Sequence, residues 1–378
     1  MDRELRIFMV NAKQALARTK SNDHDRWAGG DALSARDRIV SKVVVPQGLQ
    51  TFSCSPGNTF FAIGSCFARN VEERLELAGA NVLSRQMDVA DLGATGARTL
   101  GLFNKYTPFS ILQELQFASG ERDYPEEAFL SAGLDLFYDA QLRINSGNAS
   151  LEALRARRKE INLAFARAFE ADVLILTLGL IEAWFDTKSG LYLNEVPAPR
   201  LLMKEPDRFE LRILSVDECR EALREIHTLL ARHAKVGQKI VITVSPVALA
   251  RTFSEHDVII ANTTSKSTLR VAAMEFASEH EGVDYFPSYE AVLHSAPALA
   301  WQDDRLHASD FIVGRIISTF LTRYGLPPEG SLEEVEISAV DSEEALITRL
   351  RREVDRYKNQ ILALEKKLAT QDPRKEVS

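Results

Sequence analysis

Read for apolar and polar positions, the chain shows four short apolar runs with amphipathic stretches between them. The first, TFFAIGS at 59–65, ends in Gly-Ser and reads as a buried strand stopping at a tight turn. Phe67, Val71, Leu75 and Ala78 then recur at spacings of 4, 4 and 3, with Glu72, Glu73 and Arg74 on the opposite side. That spacing predicts a helix with one apolar face. The alternation repeats: a helical pattern from Leu151 to Glu170 precedes DVLILTLGL at 172–180, one from Asp217 to His233 precedes KIVITVSP at 239–246, and one from Lys266 to His280 precedes VDYF at 283–286. Val- and Ile-rich runs of strand length between amphipathic helices predict a parallel sheet covered on both faces, a doubly wound three-layer α/β/α core over residues 55–326. In such sheets functional groups collect at the carboxyl ends of strands, where Gly64-Ser65, Gly179 and Ser245 fall.

The two ends differ from this core. Residues 1–54 read as an irregular leader with a short helix near Arg3 to Arg18 and a polar, Gly-containing stretch after it. Residues 327–378 read as an acidic linker and a helix. There Ile347, Leu350, Val354, Tyr357, Ile361, Leu364 and Leu368 follow one another at 3, 4, 3, 4, 3 and 4. That seam, among charges of mixed sign, predicts a coiled coil and a homo-oligomer joined through residues 347–368; the alternative is a helix docked on its own domain.

Composition narrows the function classes. Of 378 residues, 45% are hydrophobic and 26% charged, which is globular composition. No apolar run is long enough for a membrane span or a signal peptide, so the expectation is a cytoplasmic protein. A net charge of −8 without a basic stripe argues against nucleic acid as partner. The three cysteines, Cys54, Cys66 and Cys219, are spaced for neither a disulfide framework nor a zinc site. Asp23-His24-Asp25 lacks a further ligand at metal spacing, and no glycine-rich phosphate loop occurs, so no metal and no cofactor is expected.

Two constellations can carry chemistry. Ser65 lies between a strand and a helix, where its hydroxyl meets the unpaired N–H groups of the helix start. It reads either as a nucleophile beside oxyanion donors or as a plain N-cap. In Asp303-Asp304-Arg305-Leu306-His307, Asp304 and His307 are three apart in a loop before the last core helix. A carboxylate at that spacing can hold one imidazole nitrogen while the other faces a nucleophile; the bland reading is a polar surface loop. Cys66 competes with Ser65, since a thiol at a helix N-terminus is a nucleophile in its own right. One position further on, it should point about 100° away and pack on the sheet. Ser245-Pro246 ends another strand, as a structural exit or, with Arg251, as a contact for an anionic or sugar substrate. Tyr285, Phe286 and Tyr289 form an aromatic cluster that could stack on sugar or fill the core.

These residues carry a resemblance. GSCFA at 64–68, FNKYTPFSI at 103–111, LTLGLIEAW at 176–184, VSPVAL at 244–249, SKSTLR at 265–270, DYFPSYE at 284–290 and the DRLH element resemble, in order, the blocks of GSCFA-domain proteins. That family is similar to the SGNH/GDSL serine hydrolases, of SGNH/flavodoxin-like fold. The resemblance implies Ser65 as nucleophile, His307 as base and Asp304 as its orienting carboxylate. It also implies oxyanion donors from the nucleophile's own N–H, from a Gly of a second block and from an Asn of a third, with Gly179 among the oxyanion or substrate-binding residues. The Asn of the usual Gly-x-Asn-Asp block is missing, since the chain has Gly179-Leu180-Ile181-Glu182; Asn104 is the nearest substitute. Glu182 and Trp184 line a pocket or pack the segment 185–197. The expected activity is a serine ester hydrolase or O-acyl (acetyl) transferase working through an acyl-enzyme on an acylated carbohydrate. The alternative is a non-catalytic glycan- or protein-binding module assembled by its coiled coil.

Overall fold

The computed structural model describes residues 10–29, 32–86, 103–142 and 147–326, all inside one compact unit, Met1–Glu329. The seam at 347–368 lies outside the described residues. The central sheet has five parallel strands: β1 (Thr59–Gly64), β2 (Asn81–Val82), β5 (Val173–Leu178), β9 (Lys239–Val244) and β10 (Val283–Tyr285), in the order β10-β9-β5-β1-β2. Numbered within the sheet alone, that order is 2-1-3-4-5. The chain reverses its direction of travel across the sheet between β1 and β5, and the crevice at such a switch point is where doubly wound sheets bind ligands.

The four apolar runs form the strands as their patterns predict. Being buried on both sides, they alternate between two cores. Phe61, Ile63, Leu174, Leu176, Ile240 and Ile242 face one core, with Ile111, Leu115, Phe165, Ile226 and Leu269 from the helices Pro108–Ser119, Leu151–Ala166, Val216–His233 and Val258–Glu279. Phe60, Ala62, Val173, Ile175 and Val241 face the other, with Phe67 and Leu75 of helix Cys66–Leu77 and Ile312, Ile316 and Phe320 of helix Asp310–Tyr324. Helices therefore cover both faces, as continuous apolar strands require.

Two elements were not expected. The hairpin β3 (Phe129–Gly133) and β4 (Leu136–Asp139), and an antiparallel sheet of β6 (Glu182–Asp186), β7 (Leu191–Leu193) and β8 (Phe209–Ile213), follow the helices and strands that lead to the switch point. The end of the leader is also tied to the core. The Val44 N–H donates to Ser295 Oγ at 2.9 Å, Thr51 Oγ1 to Asp284 at 2.7 Å, and the Cys54 N–H to the Tyr324 carbonyl at 2.7 Å. Among the described residues no helix is long and apolar enough to cross a membrane.

Candidate active site

The site is built where β1 ends. Gly64 has φ +147°, and a Cβ there would lie 2.1 Å from Thr177 Oγ1, so only glycine lets β1 close against β5. Ser65 follows with φ −64° and ψ 179°, extended and outside the helix. Its Oγ accepts the Phe67 N–H at 3.3 Å, and its own N–H donates to the Thr177 carbonyl at 3.2 Å. Ser65 is 2% exposed and serves as the N-cap of helix Cys66–Leu77. Cys66 is the first helical residue, so its N–H is among those a helix leaves without an internal partner. It is half-buried, whereas Cys54 and Cys219 are buried, and burial pushes their thiols up to about 11 and about 12.

The DDRLH segment reaches the same place from the other end of the chain. It is a turn closed by Gln302 N–H donating to the His307 carbonyl at 2.8 Å and Arg305 N–H to the Gln302 carbonyl at 3.0 Å. Arg305 adopts a left-handed φ of 54° at its bend. Asp304 is fixed by three bonds: Oδ1 accepts from the Leu306 and His307 N–H groups at 2.9 and 3.0 Å, and Oδ2 meets His307 Nδ1 at 2.7 Å. With Nδ1 so occupied, the other ring nitrogen is left for a nucleophile. Ser65 and Cys66 both border the cavity that His307 borders, and the thiol is the one that acts on its charge. Hydrogen bonding with Cys66, ahead of that with Asp304, raises the His307 pKa to about 9, and the two carboxylate-side N–H bonds and the imidazole hold Asp304 down at about 2. No hydrogen bond joins Ser65 to His307 among the described residues. The expected Asp304–His307 pair is therefore present, and Ser65 borders the same cavity, but it is Cys66 beside it that interacts with the imidazole.

The remaining expected residues divide. Gly179, Glu182 and Ser245 border one cavity of about 390 Å³ together with Cys66 and His307. The Gly179 N–H is not free to act on an oxyanion, because it donates to the Tyr106 carbonyl at 3.1 Å. A Cβ on Gly179 would come within 2.7 Å of that same carbonyl, so its glycine serves close packing. Asn104 does not border the cavity. It is buried, its Nδ2 lies 3.4 Å from Tyr106 Oη, and its carbonyl accepts from Asn194 Nδ2 at 2.6 Å. Asn194, which sequence reasoning passed over, brings a side-chain amide to the cavity wall instead. Glu182 is held by Thr252 Oγ1 at 2.5 Å and the Phe253 N–H at 3.0 Å. Ser245 Oγ accepts the Val247 N–H at 3.3 Å. Arg251 borders the cavity; Tyr285, Phe286 and Tyr289 do not.

The residue missed altogether is Lys266, fully buried on helix Val258–Glu279. Its Nζ donates to the carbonyls of Gly179 at 2.8 Å and Val247 at 2.6 Å, both cavity residues. Burial pulls its pKa down to about 7, and the nearby Cys66 acts against that fall. A signal was available, since Lys266 sits on the apolar stripe of Ala261, Leu269, Ala273 and Phe276, where a cation needs a reason. Among the described residues, no three His, Cys, Asp or Glu side chains cluster so as to hold a metal ion.

Comparison with known proteins gives one finding. The GSCFA family model matches residues 59–320. The chain belongs to the GSCFA family. Neither a curated protein nor a solved structure matches it. The match spans every element of the site in this GSCFA protein, from the strand before Gly64 to the helix after His307.

Proposed function

We propose that this GSCFA protein is a cysteine-dependent acyl-transfer enzyme that cleaves an ester, and that Cys66, His307 and Asp304 are its catalytic residues. One observation carries the reading: a half-buried thiol at a helix start meets an imidazole whose other nitrogen is fixed by a carboxylate. The Cys66 thiol gives its proton to His307, and the sulfur attacks the acyl carbon. The oxyanion so formed meets the Cys66 N–H at the helix N-terminus, with the helix dipole behind it. When the intermediate collapses, the carbon–oxygen bond to the alcohol breaks, and His307 returns its proton to the departing oxygen. The acyl group is left as a thioester on Cys66. Water or another hydroxyl, deprotonated by His307, then attacks it and frees the thiol. Asp304 keeps the imidazole in the required tautomer and orientation. Lys266, behind the carbonyls of Gly179 and Val247, adds positive potential on the sulfur's side of the cavity.

The sheet order supports the likeness to the SGNH group, whose nucleophile also follows the first strand. Self-association through 347–368 is part of the same reading and stands on the heptad spacing alone. Turnover of p-nitrophenyl butyrate tests the activity. It should vanish in Cys66→Ala and fall roughly 100- to 10,000-fold in His307→Ala, the range for a positioned acid–base. In the wild type it should decline above about pH 9, as His307 loses the proton it gives the leaving group. Full turnover in folded Cys66→Ala would refute the proposal.

A further inference from the structure

We infer that the acyl group Cys66 accepts is an apolar chain longer than acetyl, seated along Trp184 and Phe253. The inference rests on the reading of Cys66 as nucleophile. The cavity beside the thiol measures about 390 Å³, within the range of small-molecule sites. Its apolar lining includes Leu180, Trp184, Val196, Val247, Leu249 and Phe253. Trp184, on β6, meets Phe253 edge to face with ring centroids 5.3 Å apart and planes at 83°. The two rings make one continuous apolar surface from the inserted sheet to the loop after β9.

Three polar side chains on the cavity wall, Glu182, Ser245 and Asn194, are already engaged, while Arg251, Glu195 and Tyr106 also line it. Both carboxylate oxygens of Glu182 already accept from Thr252 and Phe253, and Ser245 Oγ already accepts from Val247. The Asn194 side chain is bonded to the Asn104 carbonyl at 2.6 Å and to the Tyr106 N–H at 3.1 Å. A sugar bound deep in this space would leave several hydroxyls short of partners, each at a cost. A methylene chain asks for none and removes its surface from water against Trp184 and Leu249. An acetyl group would leave most of the space without dispersion contacts. The alcohol portion of the substrate then leaves past His307, on the more exposed side of the site.

Acylation of the full-length protein by p-nitrophenyl acetate, butyrate and hexanoate tests this, each rate divided by that of the same ester with a free thiol. The normalised kcat/KM should rise about three- to fourfold for each added methylene. Val196→Trp should cut the hexanoate-to-acetate ratio by at least tenfold by filling the space from a half-buried position, and Phe253→Ala, at a more exposed wall position, should lower it by less. Alkylation of Cys66 by iodoacetamide, located by mass spectrometry, reports the nucleophile without reference to chain length. A flat or falling profile with Cys66 alkylated at the wild-type rate overturns the apolar-chain inference and leaves the nucleophile standing. Absence of acylation by every ester together with an inert Cys66 overturns the catalytic reading and this inference with it.

Discussion

Among the described residues two lysines are fully buried, and their surroundings differ. Lys105 sits between helices Pro108–Ser119 and Leu151–Ala166, paired with Glu114 at 2.5 Å and bonded to the Gln141 carbonyl at 2.6 Å. Glu114 also pairs with Arg158, which reaches Asp139 at 3.4 Å, and Asp139 accepts the Tyr124 hydroxyl at 2.5 Å. Two cations face two carboxylates, and none of the four borders the cavity. Lys266 has only two carbonyls, and no carboxylate pairs with it among the described residues. Buried charge is tolerable when balanced, as around Lys105. An unbalanced buried cation near a thiol is a costly arrangement, and that sets the second region apart and fits the proposed chemistry there.

The contrast breaks most visibly at Glu114. Glu114→Ala leaves Lys105 and Arg158 buried without their shared partner and should cost about 3–5 kcal/mol of stability, read by denaturant titration. Lys266→Met should behave differently. It removes a cation that folding carries at a penalty, and its main effect should be slower acylation of Cys66, roughly tenfold or about 1.4 kcal/mol.

The pH dependence of stability sharpens the same point. Lys266 binds a proton up to about pH 7 in the fold and to its ordinary 10.5 when unfolded. Between those values the unfolded chain holds the extra proton, so the burial penalty is full below about pH 7 and fades as pH rises toward 10.5. His307 runs the opposite way. Raised from 6.5 to about 9, it stabilises fully below 6.5 and loses that contribution as pH rises through 9, by a small amount because the side chain is nearly half exposed. Thermal unfolding followed from pH 6 to 10 should therefore lose its rising component in Lys266→Met, where of these two only the falling His307 effect remains. The smallest effect belongs to Ser65→Ala, which should cost about 1 kcal/mol through the lost cap and leave ester turnover in place.

Much of this was readable in the chain. The runs at 59–65, 172–180, 239–246 and 283–286 are apolar because their strands are covered on both faces, and strands of that kind announce themselves. The β6–β8 sheet did not, because its short strands pair antiparallel with one face open and carry mixed residues such as Glu210 and Arg212. Asp304 and His307 were legible because they lie three apart in one turn. The place of Cys66, expected against the sheet and found at the cavity, departs from the pattern for a specific reason. The 100° step between neighbours applies inside a helix, but Ser65 is the cap, at ψ 179°, so its hydroxyl folds back on the Phe67 N–H and Cys66 takes the outward position. Asn104 was chosen for its amide alone. Which amide reaches the cavity depends on the Tyr106 segment binding Asn194, a contact 88 residues apart.

The central claim is that the acyl group forms on Cys66, and an intact-mass measurement tests it most directly. Wild type, Ser65→Ala and Cys66→Ala would be mixed with p-nitrophenyl butyrate, quenched in acid within one turnover and mapped by peptide mass spectrometry. The account predicts a butyryl adduct on Cys66 in wild type and in Ser65→Ala, and none in Cys66→Ala. An adduct on Ser65, or one that persists in folded Cys66→Ala, would contradict it.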